Sequence, residues 1–245
     1  MKRKTNLLKF SLVALFLLIS SAAWSATYYV CAGSTLSLNP GSPVTGITYM
    51  WDVKQTASGP SIQDYPRAGA PTTLPGPGTY IVYLISSQTT PSSTICPPDV
   101  VENTFIVLPP ITLVLDNPTN ATYCGAHSIT ASSVVAVAPT LTLPSNTGSD
   151  LVYEYSYSVS IVKGGNTTVV DGATIGTINQ TTGAYTLTAT DPGTYTITGS
   201  VKYKQAPTFT GTLLGTTGCP ATSTTTKVVE VLAAPTAPVI TISAN

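Results

Sequence analysis

Tyr153-Glu154-Tyr155-Ser156-Tyr157-Ser158-Val159-Ser160-Ile161 is the stretch that decides the fold. Tyr153, Tyr155, Tyr157, Val159 and Ile161 fall on one side of an extended chain. Glu154, Ser156, Ser158 and Ser160 fall on the other. A period of two with one apolar side is the signature of a half-buried strand. Tyr185 to Thr190 alternates in the same way, and Gly164-Gly165-Asn166 has the composition of a hairpin turn that needs positive φ. The chain holds 43 Thr and 24 Ser in 245 residues, so disorder is the competing reading. It fails because β-branched and aromatic residues recur in strand-length blocks, which disordered segments lack. Helical periodicity is absent after the first 25 residues. The chain is predicted to be all-β, built as antiparallel sandwiches.

Outward from that strand, two similar units emerge. The first spans 26–108. It runs from Val30-Cys31-Ala32-Gly33 through Tyr49-Met50-Trp51-Asp52-Val53 and Pro77-Gly78-Thr79-Tyr80 to Cys96 and Phe105-Ile106-Val107-Leu108. The second spans 111–232. It runs from Tyr123-Cys124-Gly125 through the strand above and Pro192-Gly193-Thr194-Tyr195 to Cys219 and Val228-Val229-Glu230-Val231-Leu232. The order is shared and the loops differ, as expected when strands are retained and connections vary. Pro109-Pro110 forms a stiff linker. Residues 233–245 are predicted to be a second linker and the first strand of a truncated third unit, because Val239 to Ser243 echoes Ile111 to Leu115.

The amino terminus predicts export. Lys2, Arg3, Lys4 and Lys9 precede an apolar run at Leu12 to Ile19, and Ala23-Trp24-Ser25 has a cleavage-site pattern. This is the layout of a signal peptide over residues 1–25. Beyond it, six cations face ten acids, which leaves −4 and no basic cluster. Nucleic acid is excluded on that ground. No later stretch has the length and apolarity of a spanning helix, so no membrane insertion is expected after cleavage. A secreted or cell-surface location follows.

Four cysteines allow three pairings. The repeat order selects Cys31 with Cys96 and Cys124 with Cys219, one disulfide per unit. Metal binding is disfavoured, since there is no CxxC and His127 is the only histidine.

The Tyr-x-Trp-Asp strand at Tyr49 to Asp52 and the Pro-Gly-Thr-Tyr strand at Pro77 to Tyr80 resemble polycystic-kidney-disease-like (PKD-like) domains, which are immunoglobulin-like sandwiches. With Cys31-Ala32-Gly33 and the second cysteine, the unit is similar to repeats of large secreted surface proteins of gliding, type-IX-secreting bacteria. The resemblance implies stacked adhesin repeats, with further repeats downstream in the same chain. Two departures stand: Lys54-Gln55 replaces the family's Gly-Asp-Gly, and the second unit lacks the tryptophan.

No catalytic constellation is legible. His127 has no serine elbow beside it and reads as structural. Asp150 with Glu154, and Asp99 with Glu102, are the nearest carboxylate pairs, and both read as solvated edges. Asp116, Asn117 and Asp191 are a minor calcium possibility without a DxDxDG loop. The Tyr153-Tyr155-Tyr157 stripe reads as core in preference to a sugar-stacking face. The expected function is therefore non-enzymatic and needs no cofactor: a structural or adhesive surface repeat whose partner is a surface protein or a glycan. The loops at 139–150 and 206–218 are the candidate contacts. The alternative is a carbohydrate-binding or accessory module of a larger secreted enzyme.

Overall fold

The computed structural model describes residues 25–42, 44–62, 64–89, 100–125, 132–139, 150–215 and 217–233. The predicted apolar leader and the strand expected at 239–243 lie outside these residues. The chain forms two compact units, residues 1–107 and 108–245.

In the first unit, β1 (Ala26–Cys31), β2 (Ile47–Lys54), β3 (Gly78–Gln88) and β4 (Val101–Leu108) lie in the order β1-β4-β3-β2. β2, β3 and β4 pair antiparallel, with Trp51 opposite Leu84 and Tyr80 opposite Phe105. Trp51, Val53, Tyr80, Val82 and Phe105 are buried. The Tyr28 ring stacks on Phe105 at 5.2 Å. Among the described residues this unit has one sheet, where a two-sheet sandwich was expected. Five prolines in residues 55–77 explain the difference, because proline cannot donate to a ladder. Instead this segment bonds irregularly along β2. Trp51 and Arg67 exchange backbone bonds of 2.7 and 2.9 Å, and Leu36, Tyr65 and Leu74 are buried with the sheet's apolar residues.

The second unit is a two-layer sandwich. Its strands are β5 (Leu113–Leu115), β6 (Thr122–Cys124), β7 (Ser133–Val135), β8 (Val137–Pro139), β9 (Leu151–Lys163), β10 (Asn166–Asp171), β11 (Gly176–Ile178), β12 (Tyr185–Leu187), β13 (Gly193–Gln205), β14 (Thr212–Leu213), β15 (Ala221–Thr222) and β16 (Lys227–Leu232). One layer has the order β10-β9-β13-β16-β6, with β15 also on β13. The terminal pair β16–β6 is parallel, and the other pairs in this layer are antiparallel. The other layer holds β11-β12-β7 and β5-β8. Only Ala136 separates β7 from β8, and its carbonyl accepts the Asp116 amide at 2.9 Å. This immunoglobulin-like arrangement has its core between the layers, at Tyr157, Val159, Tyr195, Ile197, Tyr185, Leu187 and Leu113. Gly199 permits the close approach, since a Cβ there would meet Leu115 and Leu113 at 3.0 and 3.1 Å. The β9–β10 turn uses Gly164 and Gly165 at φ 53° and 83°, as its composition requires.

The two Pro-Gly-Thr-Tyr segments do the same thing in both units. Tyr80 donates its hydroxyl to the Gly76 carbonyl at 3.0 Å, and Tyr195 donates to Asp191 at 2.8 Å. Each bond reaches four residues back, as in the tyrosine corner of immunoglobulin-type sandwiches.

The cysteine expectation is corrected. Cys124 is an exposed free thiol, whereas Cys31 and Cys219 are each disulfide-bonded. The Cys124–Cys219 bond is therefore not formed. Cys96 itself lies outside the described residues. A shared order of elements does not fix the direction of a side chain. Cys124 ends β6 opposite Leu232, and both residues are exposed there.

Two outcomes follow. Iodoacetamide without reductant should label Cys124, and non-reducing peptide mapping should recover Cys219 in a cross-link that does not include Cys124. Tyr80→Phe and Tyr195→Phe should each lower stability by about 1 kcal/mol, the net worth of one hydrogen bond, in urea titrations.

Candidate binding groove

β10 pairs with β9 only from Ser158 onward, so among the described residues no strand pairs with the Leu151–Tyr157 half of β9 on that side. Gln180 covers part of it. Its side-chain oxygen accepts the Tyr155 amide and its side-chain nitrogen donates to the Tyr155 carbonyl, both at 2.9 Å. One glutamine amide thus substitutes for a strand residue. Next to it lies a groove of about 700 Å³, lined by Tyr153, Tyr155, Gln180, Thr181, Lys204 and Pro207 among others.

Tyr153 is the unusual member. Its ring lies 5.7 Å from Tyr203 and 6.1 Å from Tyr155. Its hydroxyl is buried without a hydrogen-bond partner among the described residues. Burial, and then Tyr155, push its pKa up. A buried phenol without a partner is costly. At the lip, Glu154 pairs with Lys202 at 2.8 Å and with Lys204 at 3.0 Å. Hydrogen bonds from the two lysines hold its carboxyl below the usual range.

The rest of the tyrosine stripe is core. Tyr155 and Tyr157 are 4% and 3% exposed, which removes them as a ligand face. Tyr157 stacks on Tyr185 at 4.7 Å and donates to the Gly183 carbonyl, while Tyr185 donates to Gly172 at 2.9 Å. Tyr123 donates to Ala189 at 2.7 Å and Tyr203 to Pro109 at 3.2 Å. The single odd hydroxyl at Tyr153 was not legible in the sequence, because strand alternation does not tell which partner a phenol finds.

The other candidate residues are dispersed. Asn117 accepts from Lys227 at 2.9 Å, and Asp191 pairs with Lys163 at 2.7 Å. Asp116 is exposed. Glu154 is committed to its two lysines, so the Asp150–Glu154 pair is not a matched acid and base. Glu102 lies opposite Tyr83 on the neighbouring strand. Asp99 and His127 lie outside the described residues, as does most of the loop at 139–150. Among the described residues no three His, Cys, Asp or Glu side chains converge. No described helix is long and apolar enough to cross a membrane.

No protein-family model matches the chain, and no curated protein matches it. Solved structures resemble it distantly. The three N-terminal domains of the highly immunogenic outer capsid protein of bacteriophage RB49 share 9% identity at a TM-score of 0.47; the match covers 84% of this chain and 67% of that one. The titin I-band fragment I67–I69 shares 10% identity at 0.37, covering 85% and 64%. The fibronectin(III)-like modules of Clostridium thermocellum CbhA share 12% at 0.34, covering 86% and 93%. At these scores the likenesses carry no argument, and the sandwich rests on its own strand order and tyrosine corners.

The buried phenols give a pH dependence. Burial pushes Tyr123 up to about 12, with Tyr195 adding to it. Burial first, then charged or phenolic neighbours, raises Tyr157, Tyr185 and Tyr203 further. An unfolded tyrosine ionises near 10, so above that pH the unfolded chain holds fewer protons than the native one. Stability is intact below about pH 10 and falls as pH rises through 12. Urea midpoints should drop across that window, and 295 nm absorbance should show the buried phenols ionising only with unfolding.

Proposed function

We propose that the chain is a non-catalytic, exported surface repeat whose units act as structural spacers in adhesion. The observation that carries this reading is the corner built twice: Tyr80 to Gly76 and Tyr195 to Asp191 brace the same strand position in both units. A repeated frame with unequal loops suits a chain that sets distance and presents loops. The disulfide-bonded state of Cys31 and Cys219 supports an oxidising compartment. Further repeats beyond residue 245 and a surface protein as partner belong to the same proposal.

A second reading is favoured by one observation. The groove beside Tyr153 presents that residue's half-buried ring next to Gln180 and Lys204, an aromatic and polar lining of the kind a carbohydrate subsite uses. It corresponds to an accessory module of a secreted enzyme. A glycan array on residues 26–245, with Tyr153→Ala beside it, separates the two. The spacer reading expects no glycan held more tightly than about 1 mM, a Kd worth about −4 kcal/mol. Micromolar binding that Tyr153→Ala abolishes would establish the carbohydrate module instead.

A further inference from the structure

The open half of β9 is a free strand edge as well as a wall of the groove. Which backbone groups face outward follows from the ladder. Asp150 accepts the Ala206 amide at 2.9 Å on the β13 side, and Tyr155 turns its amide and carbonyl the other way, to Gln180. The β9–β13 register is unbroken between them, and hydrogen-bonding sides alternate along a strand. Leu151 and Tyr153 therefore turn their backbone groups to the groove side. Neither finds a partner there among the described residues.

The groove's lining comes from both faces of this edge. Leu151, Tyr153 and Tyr155 belong to the inner face, and Val152, Glu154 and Lys204 to the outer. The cavity thus lies in line with the absent strand, not above the sheet. Gln180 shows what the edge accepts: a planar amide that offers one donor and one acceptor to a single residue.

We propose that the groove takes an extended polypeptide segment, which adds to Leu151–Tyr153 as an antiparallel strand in line with β10. This deepens the adhesion reading, in which the partner is a surface protein, and rests on it. The sense is antiparallel because β10 meets the same edge that way. Main-chain bonds hold such a segment, and alternate side chains select it. Three successive partner residues are specified. Those opposite Tyr153 and Leu151 exchange backbone bonds with them and place their side chains on the inner face, beside the Tyr153 ring, so both are apolar. The residue between them lies opposite Val152, on the outer face with Lys204. Two lysines around one glutamate leave that lip with a positive charge in excess, so the middle residue is acidic. Val152, 44% exposed, is covered when the segment binds.

The probe is the pentapeptide Thr-Val-Asp-Val-Thr, acetylated and amidated, titrated into the isotope-labelled secreted chain to about 10 mM. Amide shifts should centre on Leu151 and Tyr153 with a Kd of about 1 mM, and the Tyr153 amide should exchange more slowly when bound. N-methylation of either valine removes a pairing N–H and should weaken binding at least about tenfold. N-methylation of the aspartate, whose amide points away, should leave it unchanged, and lysine in its place should weaken it. Tyr153→Ala keeps the outward amide and should keep binding. Tyr153→Pro removes that amide, at an edge position where proline is tolerated, and should abolish it. The methylated peptides keep the test open if Tyr153→Pro fails to fold. No shift at about 10 mM, equal loss from methylation at valine and aspartate, or Tyr153→Ala as damaging as Tyr153→Pro would overturn the proposal. So would Tyr153 protection that rises with protein concentration alone, which would make the occupant a second copy. Silence toward peptide and glycan alike sinks this site and leaves the spacer reading standing, whereas micromolar glycan binding lost in Tyr153→Ala sinks both.

Discussion

The pairing of β9 with β13 is the constraint on which the second unit depends. Twelve consecutive residue pairs run unbroken from Leu151–Gln205 to Val162–Thr194. Because the register never slips, every second side chain on both strands falls on the same inner face. Tyr155, Tyr157, Val159 and Ile161 meet Val201, Gly199, Ile197 and Tyr195 there. A slip of one residue would turn the tyrosines out and the serines in. The groove depends on the same ladder, since β9 runs on past the end of β10.

A core so rich in phenols needs an acceptor for each hydroxyl. Six tyrosines donate to backbone carbonyls, at Gly76, Ala189, Gly183, Gly172, Asp191 and Pro109. All six acceptors lie outside the strands, where no ladder supplies an N–H. Gly172 also takes the Ile175 amide at 3.2 Å. At the other five, each bond satisfies a buried hydroxyl and a loop carbonyl at once, and either left alone would cost about 1–3 kcal/mol. The phenols fix the loops and the loops keep the phenols neutral. Tyr153 stands outside this exchange, its buried hydroxyl without a partner among the described residues.

Alternation from Tyr153 to Ile161 was enough to read one strand with one buried side, because period two is a local property. The Gly164-Gly165 turn was legible for the same reason. The two Pro-Gly-Thr-Tyr segments were recognisable as equivalent, but not the hydroxyl that reaches back four residues. Long-range facts were not legible. The cysteine pairing failed because shared order says nothing of which way Cys124 points. Among the described residues the first unit shows one sheet where the likeness between units suggested two, and the five prolines of residues 55–77 leave that segment without a ladder. Gln180 standing in for a strand residue has no sequence signal.

Native-state hydrogen exchange on β9 tests the central claim most directly. The amides of Glu154, Ser156, Ser158 and Ser160 point to β13, and those of Thr167 and Val169 on β10 point to solvent. The first set should exchange only through global unfolding, with protection equal to the urea-derived stability. The second should exchange freely. If the β9 amides exchanged as fast as those of Thr167 and Val169, the ladder would not be the frame of the domain.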